Sequence, residues 1–246
     1  MFTTEYREDV RNKILEEAKH DSRIVSAAIV GSYAQYKQDQ FSDIDIMFGV
    51  SKLHTVSELL QSWTEYIVQE FSAVMLLDVQ RGTTIYRVFM LPGCLQVDIS
   101  FSPEKDFGAI GEHFKLLYGK QYEKPQSKKQ TSEELFGWII HHLVRAKFCV
   151  KRNRLWQAEF WLSEARDYAL KIACIANNLN SDYARGFDDL PKEILGLFKN
   201  TMVKEVNKTE ILRVHNNLML LLPKLSNEVN QMVKKANTIL NELKVL

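Results

Sequence analysis

Two aspartates one residue apart, in Asp43-Ile44-Asp45-Ile46, follow a Gly31-Ser32 pair across ten intervening residues. Side chains alternate along an extended chain, so both carboxylates project from one face while Ile44 and Ile46 turn to the other, into a core. Two carboxylates side by side repel unless a cation neutralises them, and hard oxygen ligands of this kind suit Mg²⁺ held jointly with substrate phosphates. Gly31 stops an apolar run, so the backbone turns sharply there and a ligand can approach it closely. The N–H groups of a short helix beginning at Ser32 can then receive a phosphate. A third acid, Asp98, lies in Leu95 to Phe101 (LQVDISF), sharing a face with Gln96 and Ser100. It faces Asp43 and Asp45 if that strand pairs beside Ile44 to Val50. Asp78, in another apolar stretch (LLDVQ), is its rival.

The elements that must hold these groups are legible as changes of period. Tyr6, Val10, Ile14 and Ala18 recur every four residues and give a helix with one buried stripe. Ile24 to Val30 (IVSAAIV) is short, apolar and rich in β-branched residues, and reads as a buried strand; Ile44 to Val50 is a second. Helical spacing returns with Val56, Leu59, Leu60, Trp63, Ile67 and Phe71. Strands follow at Ala73 to Val79, Thr84 to Leu91 and Leu95 to Phe101, the last two joined in a hairpin by Pro92-Gly93. The expected unit is a mixed sheet of about five strands with helices on one side.

From Gly119 to Gln130 the chain is polar and basic and reads as a linker. Thr131-Ser132-Glu133-Glu134 then carries a capping box, and Leu135, Ile139, Leu143, Ala146 and Val150 form a core stripe. A second helix from about Leu155 to Asn177 and further ones near Pro191, Lys208 and Leu225 make a bundle of about five. The expected class is α+β, with residues 1–120 as the sheet domain and 121–246 as an all-helical bundle.

Composition narrows the function. The 246 residues carry 32 Lys+Arg against 31 Asp+Glu, a net charge of +1, which argues against a general nucleic-acid binder. At 46% apolar and 26% charged residues the chain can build a packed core and is not disordered. Cys94, Cys149 and Cys174 form no CxxC pair and read as buried thiols of a reducing compartment. Acids stand where a signal peptide would place its apolar run, and LMLLL, Leu218 to Leu222, falls far short of a membrane span. A cytoplasmic location without membrane attachment is expected.

An apolar residue with Gly-Ser, a spacer of about ten residues, Asp-apolar-Asp-apolar and a later carboxylate resembles the signature of the DNA polymerase β type nucleotidyltransferases. The layout is most similar to the small bacterial enzymes acting on aminoglycosides and lincosamides, which follow the sheet domain with a helical bundle. The resemblance implies transfer of a nucleoside monophosphate, AMP from ATP above other NTPs, to a hydroxyl of a small-molecule acceptor. It implies two Mg²⁺ ions on Asp43, Asp45 and Asp98, with Asp98 either a ligand or the base. Gly31 and Ser32 would seat the β,γ-phosphates, in a cleft between sheet and bundle. Protein adenylylation, as in antitoxin-like relatives, and a non-catalytic nucleotide-binding module are the alternatives; whether a homodimer completes the site stays open. The stretches Trp156 to Asp167 and Tyr183 to Pro191 are similar to the helical half of uncharacterised proteins grouped with these enzymes.

Other candidates have plainer explanations. Lys147 and Lys151, in a cluster with Arg152 and Arg154, are assigned to the triphosphate, although cations at a helix C-terminus also answer its dipole. His141-His142 lacks a second ligand at i+4, and no metal is assigned to it. Trp156, Phe160 and Trp161 read as bundle core, and Asp188 and Asp189 as an N-cap before Pro191.

Overall fold

The computed structural model describes residues 1–109, 113–124 and 128–244; residues 125–127, within the expected linker, lie outside it. The chain divides into two compact units, Met1–Ser127 and Lys128–Leu246.

In the first unit, α1 (Thr4–His20) precedes β1 (Ile24–Val30), a single helical turn α2 (Gly31–Ala34), β2 (Ile44–Val50) and α3 (Val56–Phe71). Strands β3 (Val74–Arg81), β4 (Thr84–Leu91), β5 (Leu95–Pro103) and β6 (Phe114–Tyr118) complete it. They form one mixed sheet of six strands in the order β3-β4-β5-β2-β1-β6. Neighbours run antiparallel except β2 and β5, which are parallel. The hairpin between β4 and β5 turns at Pro92–Cys94, where Gly93 takes a φ of 79°.

Both helices α1 and α3 lie on one face, as the apolar stripes require. Val10, Ile14 and Ala18 of α1 and Leu59, Trp63 and Ile67 of α3 pack against Ile44, Ile46, Phe48, Val97, Ile99 and Phe101. The Phe48 and Trp63 rings stand 5.1 Å apart, and Phe48 and Phe101 5.6 Å. Trp63 is 2% exposed and donates its indole N–H to Asp21 Oδ2 at 3.0 Å. Burial alone would raise the Asp21 pKa, but hydrogen bonds from Arg23 and Trp63 hold it below the usual range. The opposite face carries a small cluster of Ala28, Met47 and Phe107.

The second unit holds α4 (Ser132–Lys151), α5 (Leu155–Ala176), α6 (Lys192–Phe198), α7 (Lys208–Leu221), α8 (Asn227–Lys235) and α9 (Asn237–Lys244). The capping box at Thr131 is formed: its hydroxyl accepts from Glu134 N–H at 3.2 Å and its own N–H donates to Glu134 Oε2 at 3.0 Å. The expected stripe of α4 lies in one core with Leu162, Ala165, Val214 and Leu218. Among the described residues no helix is long and apolar enough to cross a membrane.

Several expectations need correction. A sixth strand, β6, adds to the five. Trp156 and Phe160 are 77% and 52% exposed rather than core; Trp161 does pack against the bundle interior. Cys94 is exposed, whereas Cys149 and Cys174 are buried. Pro191 itself occupies the N-cap of α6, with no side chain capping it. His142 is buried among rings, its centroid 4.9 Å from Trp161 and 5.4 Å from Tyr168.

Urea unfolding separates the two kinds of tryptophan. Trp63→Ala is expected to cost about 3–5 kcal/mol through the cavity it leaves, and Trp156→Ala no more than about 0.5 kcal/mol.

Candidate functional site

Asp98 pairs directly with Asp45 across the parallel β2–β5 ladder, Ile44 with Val97 and Ile46 with Ile99. The apolar partners face α1 and α3, so the acids share the opposite face. Asp43 stands immediately before β2. One carboxylate oxygen from each of Asp43, Asp45 and Asp98 lies within 4.8 Å of the others, with Asp43 exposed and the other two half-buried. Among the described residues these three are the acidic group that could hold a metal ion. The donor set is all-carboxylate, which fits a hard divalent cation.

Burial pushes the Asp98 pKa up; the Gln96 amide, donating to Asp98 Oδ1 at 3.0 Å, works against that, and the Asp43 charge adds to it. The rival Asp78 lies elsewhere. It is on edge strand β3 and takes a bidentate pair from Arg87, at 2.7 Å from Nε and 2.6 Å from Nη2.

Gly31 adjoins the carboxylates and has two reasons to lack a side chain. Its φ of +70° is a left-handed conformation that costs other residues, and a Cβ there would lie 2.0 Å from Asp45 Oδ2. The Asp45 carboxylate thus occupies the space a side chain would take. Ser32 follows in α2, whose first-turn N–H groups lack acceptors within so short a helix.

Lys147 and Lys151 sit in the helical unit. Lys147 is 9% exposed, and its ammonium donates to the Glu242 backbone carbonyl of α9. Lys151 is exposed in the last turn of α4. Within the sheet unit, cations gather around the tyrosines that follow Ser32. The Arg11 guanidinium is 3.8 Å from the Tyr33 ring centre, and Lys115 Nζ is 5.4 Å from that of Tyr36. Lys115 escaped the sequence reading because it stands on β6, a strand of five residues without alternation.

Residues 12–90 match the family model described as polymerase beta, nucleotidyltransferase. Over this stretch the sheet unit is similar to a nucleotidyltransferase domain. The match takes in Gly31, Ser32, Asp43 and Asp45, while Asp98 lies beyond its end and joins them through the β2–β5 register. Among solved structures, an aminoglycoside 6-adenyltransferase from Bacillus subtilis is similar, with 14% identity, a TM-score of 0.42, and coverage of 95% of this chain and 96% of that one. No curated protein matches the chain in sequence.

The carboxylate site yields two tests. Gly31→Ala and Gly82→Ala both place alanine at positive φ, but nothing stands within 4 Å of a Cβ at Gly82. Gly82→Ala is expected to lose about 1–2 kcal/mol in urea unfolding and Gly31→Ala more than that, because its Cβ also meets the Asp45 carboxylate; only Gly31→Ala is expected to weaken Mn²⁺ binding in a calorimetric titration. The second follows from Asp98. A carboxyl whose folded pKa is raised binds its proton more tightly folded than unfolded, so its ionisation destabilises the fold as pH rises through that pKa. In metal-free buffer at pH 7, Asp98→Asn is expected to melt above the parent, with the gap closing below about pH 4.

Proposed function

We propose that this protein transfers a nucleoside monophosphate, AMP from ATP, to a hydroxyl of a small-molecule acceptor of the aminoglycoside or lincosamide kind. The observation that carries the reading is the convergence of Asp43, Asp45 and Asp98 within 4.8 Å, beside a glycine that makes room for Asp45. The family match over residues 12–90 supports the reaction class. The acceptor is carried by the sequence resemblance to the antibiotic-modifying enzymes.

Asp43, Asp45 and Asp98 would hold the divalent cations, two Mg²⁺ ions in this reading. When bound, such ions offset triphosphate charge and acidify the acceptor hydroxyl. The backbone N–H groups at Gly31 and Ser32 seat the β,γ-phosphates and orient the chain of phosphorus atoms. Asp98, half-buried beside the other two, either completes the cation site or takes the acceptor proton as base. The freed oxygen forms a bond to the α-phosphorus, the bond from that phosphorus to the bridging oxygen breaks, and pyrophosphate leaves with the electron pair. Gln96 keeps the Asp98 carboxylate in one orientation through its amide. Lys147 has no part in this scheme, because its ammonium is engaged with a carbonyl inside the helical unit.

Pyrophosphate release from Mg-NTPs, measured against a panel of aminoglycosides, lincosamides and cellular metabolites, tests the proposal. Activity with at least one acceptor is expected. Asp43→Asn and Asp45→Asn are each expected to lower it by several kcal/mol of barrier, about three decades in rate, with the fold intact by circular dichroism. Full activity in either variant would remove the assignment.

A further inference from the structure

The three carboxylates are not held alike. Asp45 and Asp98 belong to strands and are fixed by the β2–β5 ladder. Asp43 stands before β2, which begins at Ile44, so its position is inherited from the segment that delivers it. Residues 37–43 have no helix or strand of their own and are rich in polar side chains, a composition that leaves a loop free to wander.

Two layers of hydrogen bonding restrain this loop. In the first, the loop closes on itself. Asp39 Oδ1 accepts from Phe41 N–H at 2.9 Å and from Ser42 Oγ at 3.0 Å, while Asp39 N–H donates to Ser42 Oγ at 2.9 Å. Ser42 N–H also donates to the Asp39 carbonyl at 3.3 Å. In the second, the closed turn is tied to the fold through α1. Arg7 Nη1 donates to the Ser42 carbonyl at 3.1 Å and also to the Asp39 carbonyl.

Arg7 is 3% exposed. A guanidinium so deeply placed needs acceptors, and apart from Glu8, which it shares with Arg11, the loop carbonyls are the ones it uses. Both bonds are donated by one nitrogen, Nη1, whose two N–H groups diverge toward the two ends of the turn, and the second grip is on the residue peptide-bonded to Asp43. A lysine would hold the same two carbonyls less firmly, since its ammonium rides on a flexible stem without the planar preorganisation of a guanidinium.

We propose that Arg7 is a positioning residue of the metal site: it fixes Asp43 by pinning the 39–42 turn to α1. The inference rests on the reading of Asp43, Asp45 and Asp98 as cation ligands. Groups that orient metal ligands from outside typically contribute 10–100-fold in metal affinity.

Calorimetric titration of the purified full chain with Mn²⁺, without nucleotide, tests it. The parent is expected to bind, and Asp45→Asn to abolish that binding. Arg7→Met is expected to raise the Kd about tenfold or more, and Arg7→Lys to fall between it and the parent. Amide hydrogen exchange over residues 39–43 of metal-free protein is expected to quicken in Arg7→Met, with the remainder of β2 unchanged. Saturating Mg²⁺ should restore most of kcat, because the lost property is affinity. A folded Arg7→Met variant that binds Mn²⁺ as the parent does would overturn the proposal. If that variant does not fold, Arg7→Lys decides, and parental affinity there overturns it. A parent that shows no Mn²⁺ binding sensitive to Asp45 removes the cation-ligand reading itself, and the role of Arg7 falls with it.

Discussion

Like charges held together are the constraint on which the sheet unit turns. At the effective dielectric of a protein surface, two carboxylates 4.8 Å apart repel by about 3 kcal/mol, and three such groups converge here. Left to local preference, they would rotate apart. They are kept together because neither Asp45 nor Asp98 can move without its strand, and each strand is anchored by the residues on its other side. The raised pKa of Asp98 comes first from burial, and the nearby Asp43 charge adds to it. Sites that are costly in isolation are where binding of a cation has most to offset.

The same alternation makes the core and the site. Ile44 and Ile46 face the helices, as do Val97 and Ile99, and the acids fall between them on the other side. A slip of one residue in β2 would bury carboxylates under α1 and α3 and expose the isoleucines. Register is therefore specified by hydrophobic burial, and the geometry of the acids follows without any contact devoted to it. Asp43 is the exception, since it lies where the ladder has ended. Gly31 completes the arrangement from the start of α2, because any side chain there would collide with Asp45.

What the sequence made legible followed from period and chemistry. The i,i+2 acids, the strand faces, the capping box at Thr131 and the choice between Asp98 and Asp78 depend on local pattern or on one pairing. The pairing of Asp98 beside Asp45 was conditional on strand order, which local pattern does not encode. Strand β6 was missed because FKLLY neither alternates nor contains β-branched residues. The exposure of Trp156 and Phe160 ran against their hydrophobicity, and no periodicity distinguishes an aromatic packed inside a bundle from one on its surface. Lys147 looked available because its engagement is with a backbone carbonyl 95 residues away, and carbonyls carry no sequence signature. Arg7 was hidden for the same reason.

The parallel pairing of β2 with β5 also sets when the site comes into being. Asp45 and Asp98 stand 53 positions apart, and the chain between them holds α3 and the antiparallel β3–β4 hairpin. Contacts of such range carry a loop-closure cost that local ones do not. Asp98 therefore joins Asp43 and Asp45 only where β5 pairs with β2. A cation that needs all three carboxylates binds the folded sheet and not the open chain, so its binding energy adds to the stability of the fold.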